Sequence, residues 1–259
     1  MKRRYFLAMP GVAIFTGCSG TQTKPPETAQ KEAAPPPLTY FKVDPATAGA
    51  LTGKIPFTGK KPARKAIDMS GDPACVEAHH GKAYEDAISV NPNGTLSDVF
   101  VYVKSGLEGK KFAVPATPVT IDQKGCWFHP HVIGIQTGQG LSVTNSDPVT
   151  HNIHPLAQIN REWNHSQGSG DAPLARKFTK PEVMIRVKCN IHSWMRAYIG
   201  VLDHPYFAVT GADGSFEIPN LPPGDYVIAA WQETLGAQDQ KITVTPAGTI
   251  EADFHFKGE

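Results

Sequence analysis

The strongest signal along the chain is an alternation of apolar and polar positions with the period of two that belongs to strands. Gln139-Gly140-Leu141-Ser142-Val143-Thr144-Asn145 alternates cleanly and stops at the turn Ser146-Asp147-Pro148. Glu182 to Lys188 places Val183, Ile185 and Val187 on one face and Met184, Arg186 and Lys188 on the other. Ala197 to Leu202 reads as the returning neighbour, so a short loop connects two adjacent strands. Asp98 to Lys104 is apolar on both faces, the pattern of a strand inside a sandwich. Val119 to Asp122 is a shorter strand, and Ala48 to Gly59 reads as another, bracketed by glycines. Asn91-Pro92-Asn93-Gly94 is a turn, because Pro fixes φ and Gly tolerates positive φ. Asp72-Pro73-Ala74 reads as a turn leading into Cys75. Residues 155–181 are polar, with Gly168, Gly170 and prolines, and read as a long surface excursion. His204-Pro205 looks like a boundary, beyond which strands recur at Asp213 to Ile218, Leu221 to Trp231, Lys241 to Val244 and Glu251 to Phe256. No stretch carries a helical period. The expectation is an all-β protein of short strands.

The start of the chain has a different pattern. Lys2, Arg3 and Arg4 precede an apolar run from Tyr5 to Phe15. That run is too short to span a bilayer, which takes about 20 residues, and fits a secretory signal. It ends in Phe15-Thr16-Gly17-Cys18, which resembles a bacterial lipoprotein signal cut before Cys18, with lipid on Cys18. Phe15 departs from the aliphatic residue usual there. Arg3-Arg4 with Phe6-Leu7 also resembles a twin-arginine signal, so both export routes stay open. Ser19 to Pro37 is nearly devoid of apolar residues and reads as an extended, disordered tether. The expected organisation is a signal peptide over 1–17 and a lipidated Cys with its tether over 18–47. A lipid-anchored location at a bacterial envelope follows, periplasmic or surface-facing. Ser19, rather than Asp, after Cys18 resembles outer-membrane sorting.

Charge excludes one class of partner. The whole chain carries +1, and cleavage would remove Lys2, Arg3 and Arg4 without removing an acid, leaving it slightly acidic. No basic cluster interleaves with aromatics, so nucleic acid is not expected. No Ser/His/Asp or paired-carboxylate arrangement suggests hydrolysis, and no enzymatic activity is expected.

The candidate chemistry sits in Cys189-Asn190-Ile191-His192-Ser193-Trp194-Met195, a C-x2-H-x2-M spacing, with His151 upstream after the Ser146-Asp147-Pro148 turn. Two His, one Cys and a weak axial Met are the ligand set of a blue-copper electron-transfer site. Zinc fits less well, because structural zinc sites usually hold more thiolates and Met is not among zinc's ligands. Asn152 could lie behind the ligands, tying the His151 loop to the Cys189 loop by hydrogen bonds. Of the four cysteines, Cys18 goes to lipid and Cys189 to metal. Cys75 and Cys126 remain as a disulfide pair, which an exported chain allows. Neither has a second soft ligand close by that would make it a metal site. His129 and His131 could form a second copper site with His154 or His165. His79 and His80 read as a solvated pair, and Trp194 as packing or as a docking edge.

Gly140 to Asn145, His151-Asn152 and the C-x2-H-x2-M loop together resemble the cupredoxins, over roughly residues 90–203. The short loop is most similar to the amicyanin/plastocyanin-like members. The resemblance implies a Greek-key sandwich holding one type 1 copper ion on His151, Cys189, His192 and Met195. It also implies His192 as the exit for electrons and a redox protein as partner, such as a cytochrome or an oxidoreductase. Ser193 stands where the family more often carries Pro. The tail, through Asp213-Gly-Ser-Phe-Glu-Ile218 and Leu221-Pro-Pro-Gly-Asp-Tyr226, resembles a carboxypeptidase-regulatory-like, transthyretin-type module. Gly49 to Phe57 resembles the start of such a module too, which would leave the copper domain inserted between its first strand and the rest. The expected layout is a copper domain over 48–204 and a small β-sandwich module over 205–259. Two other functions fit the same residues: copper binding for delivery, and an envelope interaction module with a secondary metal site.

Overall fold

The computed structural model describes Gly17 and residues 39–259 except Asp86. The signal segment, Cys18 and most of the tether lie outside the described residues. Among these residues the chain is almost entirely β-sheet, and no helix is long and apolar enough to cross a membrane.

Two sheets position the candidate site. One has five strands in the order His165–Gln167, His151–Pro155, Glu182–Lys188, Arg196–Leu202 and Val132–Gln136. The other has four, in the order Leu174–Lys177, Gly140–Asn145, Val119–Lys124 and Trp127–His129. Their inward residues share one apolar core that includes Ile121, Phe128, Leu141, Val143, Ile153, Ile185, Val187, Ala197 and Ile199. The alternation along Gly140–Asn145 supplies this core, since Leu141 and Val143 are buried while their neighbours are not fully so.

Two more sheets enclose a second core. Phe207–Val209, Phe100–Ser105, Gly224–Gln232 and Gly236–Val244 form one; Ser215–Leu221, Gly49–Lys54 and Thr249–Glu251 form the other. The expected division at 204/205 does not follow these sheets. Gly49–Lys54 pairs antiparallel with Ser215–Leu221, and Phe100–Ser105 pairs with Gly224–Gln232. Residues 49–107 thus contribute Leu51, Ile55, Val101 and Val103 to the same core as Phe216, Ile228 and Phe254. The two-sided apolarity of Phe100–Ser105 follows from this placement. Val101 and Val103 face their own core, whereas Phe100 and Tyr102 face the strands of the site-bearing half. There Phe100 lies against Gly200, where an added Cβ would stand 2.4 Å from its ring.

Three further expectations need correction. The 155–181 stretch is not merely a surface excursion. It adds edge strands at His165–Gln167 and Leu174–Lys177 and sends Phe178 into the core. Val183 does not share the buried face of Ile185 and Val187. Met184 has φ 61° and the register shifts between Glu182 and Ile185, a bulge that leaves Val183 41% exposed. Finally, Asp72-Pro73 opens a helix, Pro73–Ala78. Asp72 caps it, with Oδ1 accepting from Ala74 N at 3.0 Å and Cys75 N at 3.4 Å, and Pro73 occupies the first position, where its missing N–H costs nothing.

Candidate metal centre

The loop after Glu182–Lys188 closes on itself around a sulfur atom. Cys189 N donates to Met195 O at 3.1 Å, and Met195 N donates to His192 O at 3.0 Å. Cys189 Sγ accepts from the backbone N–H of His192 at 3.3 Å and of Ile191 at 3.4 Å. Such bonds stabilise a thiolate. His151 arrives from the other direction as the first residue of its strand. The turn before it is fixed by Asn145, whose Nδ2 donates to Val149 O at 2.8 Å and whose Oδ1 accepts from Asp147 N at 3.1 Å.

These elements bring His151, Cys189 and His192 together, with one ligand atom of each inside a 4.8 Å span. The two Nδ1 atoms are 2.9 Å apart, and Cys189 Sγ is 3.9 Å from His192 Nδ1. None of the three is more than 3% exposed, and Met195, at the end of the loop, is fully buried. Asn152 lies behind them. Its Oδ1 accepts from Asn190 N at 3.0 Å, and its Nδ2 donates to His165 O at 3.2 Å and to Asn164 Oδ1.

Two carboxylates, neither of them foreseen, complete the surroundings. Asp147 Oδ2 is 2.7 Å from His151 Nε2, and Asp72 Oδ2 is 3.1 Å from His192 Nε2. An ionised carboxylate only accepts, so both Nε2 atoms carry hydrogen, and in a neutral ring the Nδ1 atom presents its lone pair inward. Two such acceptors do not face each other at 2.9 Å without a proton or a cation between them. The donor set therefore fits a metal: neutral imidazole nitrogens, a thiol and a buried thioether suit copper in both oxidation states. Burial drives the His151 imidazole below its ordinary range, against the opposing pull of Asp147, which favours the neutral form that ligates. Burial alone would raise the Asp72 carboxyl. Hydrogen bonds from His192 and from the backbone of Cys75 and Ala74 outweigh it and hold the group below its ordinary range.

Cys75 and Cys126 form a disulfide and are not ligands. The bond fastens the short helix beside the site, and this changes the expected role of His192. It is 3% exposed and has Asp72 against its ring, so it is not an open exit. The partly buried side chain next to it is Trp194, with ring centroids 5.1 Å apart and Nε1 donating to Cys126 O at 3.2 Å. The other histidines do not gather. His131 is 2.8 Å from Glu233 and 3.1 Å from Arg196 O, and His154 is bonded to Glu162 and Asn190. Neither these nor His129 and His165 belong to a metal-capable cluster among the described residues. His79 is not solvated as His80 is. Its Nε2 is 2.6 Å from Gly125 O and its ring meets Trp127 edge-on.

Sequence signals for the two carboxylates differ. Asp147 lies four residues before His151 in a visible turn. Asp72 is 120 residues from His192, and only its nearness to Cys75 links it to the site.

Residues 187–252 match the family described as Polysaccharide lyase family 4, domain II, which is well under half of the chain. No curated protein matches. Among solved structures, the copper-containing nitrite reductase from Thermus scotoductus SA-01 is 25% identical over 39% of this chain and 25% of its own, at a TM-score of 0.32. An oxidised amicyanin mutant is 16% identical over 39% of this chain and 97% of its own, at 0.30. A purple cupredoxin from Nitrosopumilus maritimus is 20% identical over 32% of this chain and 98% of its own, at 0.28. The chain spans about a quarter of the nitrite reductase it matches.

Proposed function

We propose that this chain binds one type 1 copper ion and carries single electrons between redox proteins at a bacterial envelope, anchored through lipid on Cys18. The observation that carries the reading is the meeting of His151 Nδ1, His192 Nδ1 and Cys189 Sγ in one fully buried site. His151, His192, Cys189 and Met195 would hold the ion. Copper supplies a one-electron couple. The residues keep their positions through the change: the loop's backbone bonds and the sandwich core fix the sulfur, and Asn152 ties the two ligand loops together. A site that moves little on oxidation suits electron transfer. The partly buried Trp194 ring, in contact with His192, is the edge at which we expect a cytochrome or another oxidoreductase to dock.

Copper titration with voltammetry tests this. The expected result is one tight equivalent and a reversible one-electron wave. Several weak, exchangeable equivalents without a reversible wave would favour copper delivery instead. Enclosure of the ligands speaks against that role, because release needs exposed, exchangeable donors.

A further inference from the structure

We propose that Asp72 and Asp147 are positioning residues of this centre: each holds one imidazole with its Nε2–H outward and its Nδ1 inward, and their charges favour the oxidised ion. The inference rests on the copper reading above and adds to it how the ligands are aimed and tuned.

Each carboxylate is held from behind. Asp147 Oδ1 accepts from Gly125 N at 2.6 Å, and its Oδ2 accepts from Cys126 N at 2.7 Å as well as from His151. Asp72 spends Oδ1 on the N–H groups of Ala74 and Cys75, which leaves Oδ2 for His192. The disulfide joins the two mounts, since Cys75 follows the helix cap and Cys126 donates its N–H to Asp147. Cys75, Asp72 and His192 lie within 4.8 Å of one another, and so do Cys126, Asp147 and His151. The result is a closed frame running Asp72, Cys75, Cys126, Asp147, with an imidazole hung from each end. A carboxylate on the far nitrogen of a ligating His fixes its tautomer and raises its basicity. Two anionic groups, each one imidazole from the ion, stabilise the higher positive charge more than the lower.

A cap alone would explain Asp72 without any role toward metal, and Asp72→Asn separates the two. The amide oxygen still caps the helix, because Asn serves as well as Asp there. The amide nitrogen then faces His192 Nε2 and donates to it, forcing hydrogen onto Nδ1. Loss of the correct tautomer with intact geometry disables a His as base elsewhere, and here it would disable a ligand. Asp72→Ser also keeps a capping oxygen and removes the charge without imposing a tautomer.

Nitrogen NMR of the full metal-free chain reads the tautomers directly. The expected result is Nε2–H on His192 in the native protein and Nδ1–H in Asp72→Asn. Copper affinity in Asp72→Asn is expected to fall by about 10- to 100-fold. Both variants are expected to shift the Cu(I)-over-Cu(II) preference by about tenfold, or 59 mV for one electron. A bare Nε2 on His192 in the native protein would overturn the proposal, and so would two folded variants with native affinity ratios. Failure of the native protein to bind copper would instead remove the copper reading, and the tautomers would still report on the positioning.

Discussion

Asn152 shows how one side chain can hold the site without touching metal. Its Oδ1 serves the N–H of Asn190, the residue after the thiol, and its Nδ2 serves the edge strand. Asn152→Ala leaves those buried groups unpaired, and we expect a loss of about 1–3 kcal/mol in chemical denaturation of the metal-free protein. His204 is buried beside Tyr206 and Val103. Its Nδ1 accepts from Tyr206 N at 3.2 Å, so its Nε2 donates to Val103 O at 3.0 Å, and the ring is neutral. Burial holds its protonated form below the ordinary range. The unfolded chain therefore binds the proton more readily, and stability falls as pH drops through the unfolded value of about 6.5. Thermal unfolding between pH 5 and 7 is expected to show a shallower slope in His204→Gln than in the native protein. Cys189 and His192 were legible together because their types and spacing are local, and His151 because it follows a visible turn. Asp72 was not, because it meets His192 only through the tertiary fold.

The short helix Pro73–Ala78 couples the site to the disulfide. It brings Asp72 to His192, and the Cys75–Cys126 disulfide fixes it to the hairpin that Asp147 clasps. Replacing both cysteines by alanine opens a loop with a sequence separation of 51. The expected loss is about 4 kcal/mol in unfolding free energy on the chain-entropy account. Differential labelling of His192 is expected to rise as its cover loosens. The helix escaped a reading by periodicity because six residues do not complete an apolar repeat. Its start was nevertheless written in Asp72-Pro73, a capping residue followed by the imino acid that suits the first position. The alternation of Glu182 to Lys188 found the strand that delivers Cys189. It misplaced Val183 because a bulge at Met184 has no periodic signature.

At the scale of the molecule, two β cores share a seam. Phe100 and Phe207, on adjacent strands of one sheet, stack with centroids 5.7 Å apart on one side of it, and Gly134 and Gly200 on the other side leave room for their rings. A methyl at position 200 meets Phe100 at 2.4 Å, so Gly200→Ala is expected to cost about 1–3 kcal/mol. Calorimetry is expected to show one cooperative transition in the native protein and a broader or split one in that variant. The all-β class was plain from short alternating strands and abundant turn residues. The partition was legible only in part: Gly49 to Phe57 already resembled the tail module, but the pairing of Phe100–Ser105 with a strand over 100 residues later was not visible. Such pairings leave no local mark, although the two apolar faces of Phe100–Ser105 did signal a strand covered on both sides.

If Cys189 binds copper beside two imidazoles, the visible absorption and EPR spectra of the chain after adding Cu(II) carry its signature. An intense thiolate-to-copper charge-transfer band and narrow hyperfine splitting are expected, both absent in Cys189→Ser. A pale, ordinary Cu(II) spectrum that Cys189→Ser leaves unchanged would contradict copper binding by Cys189.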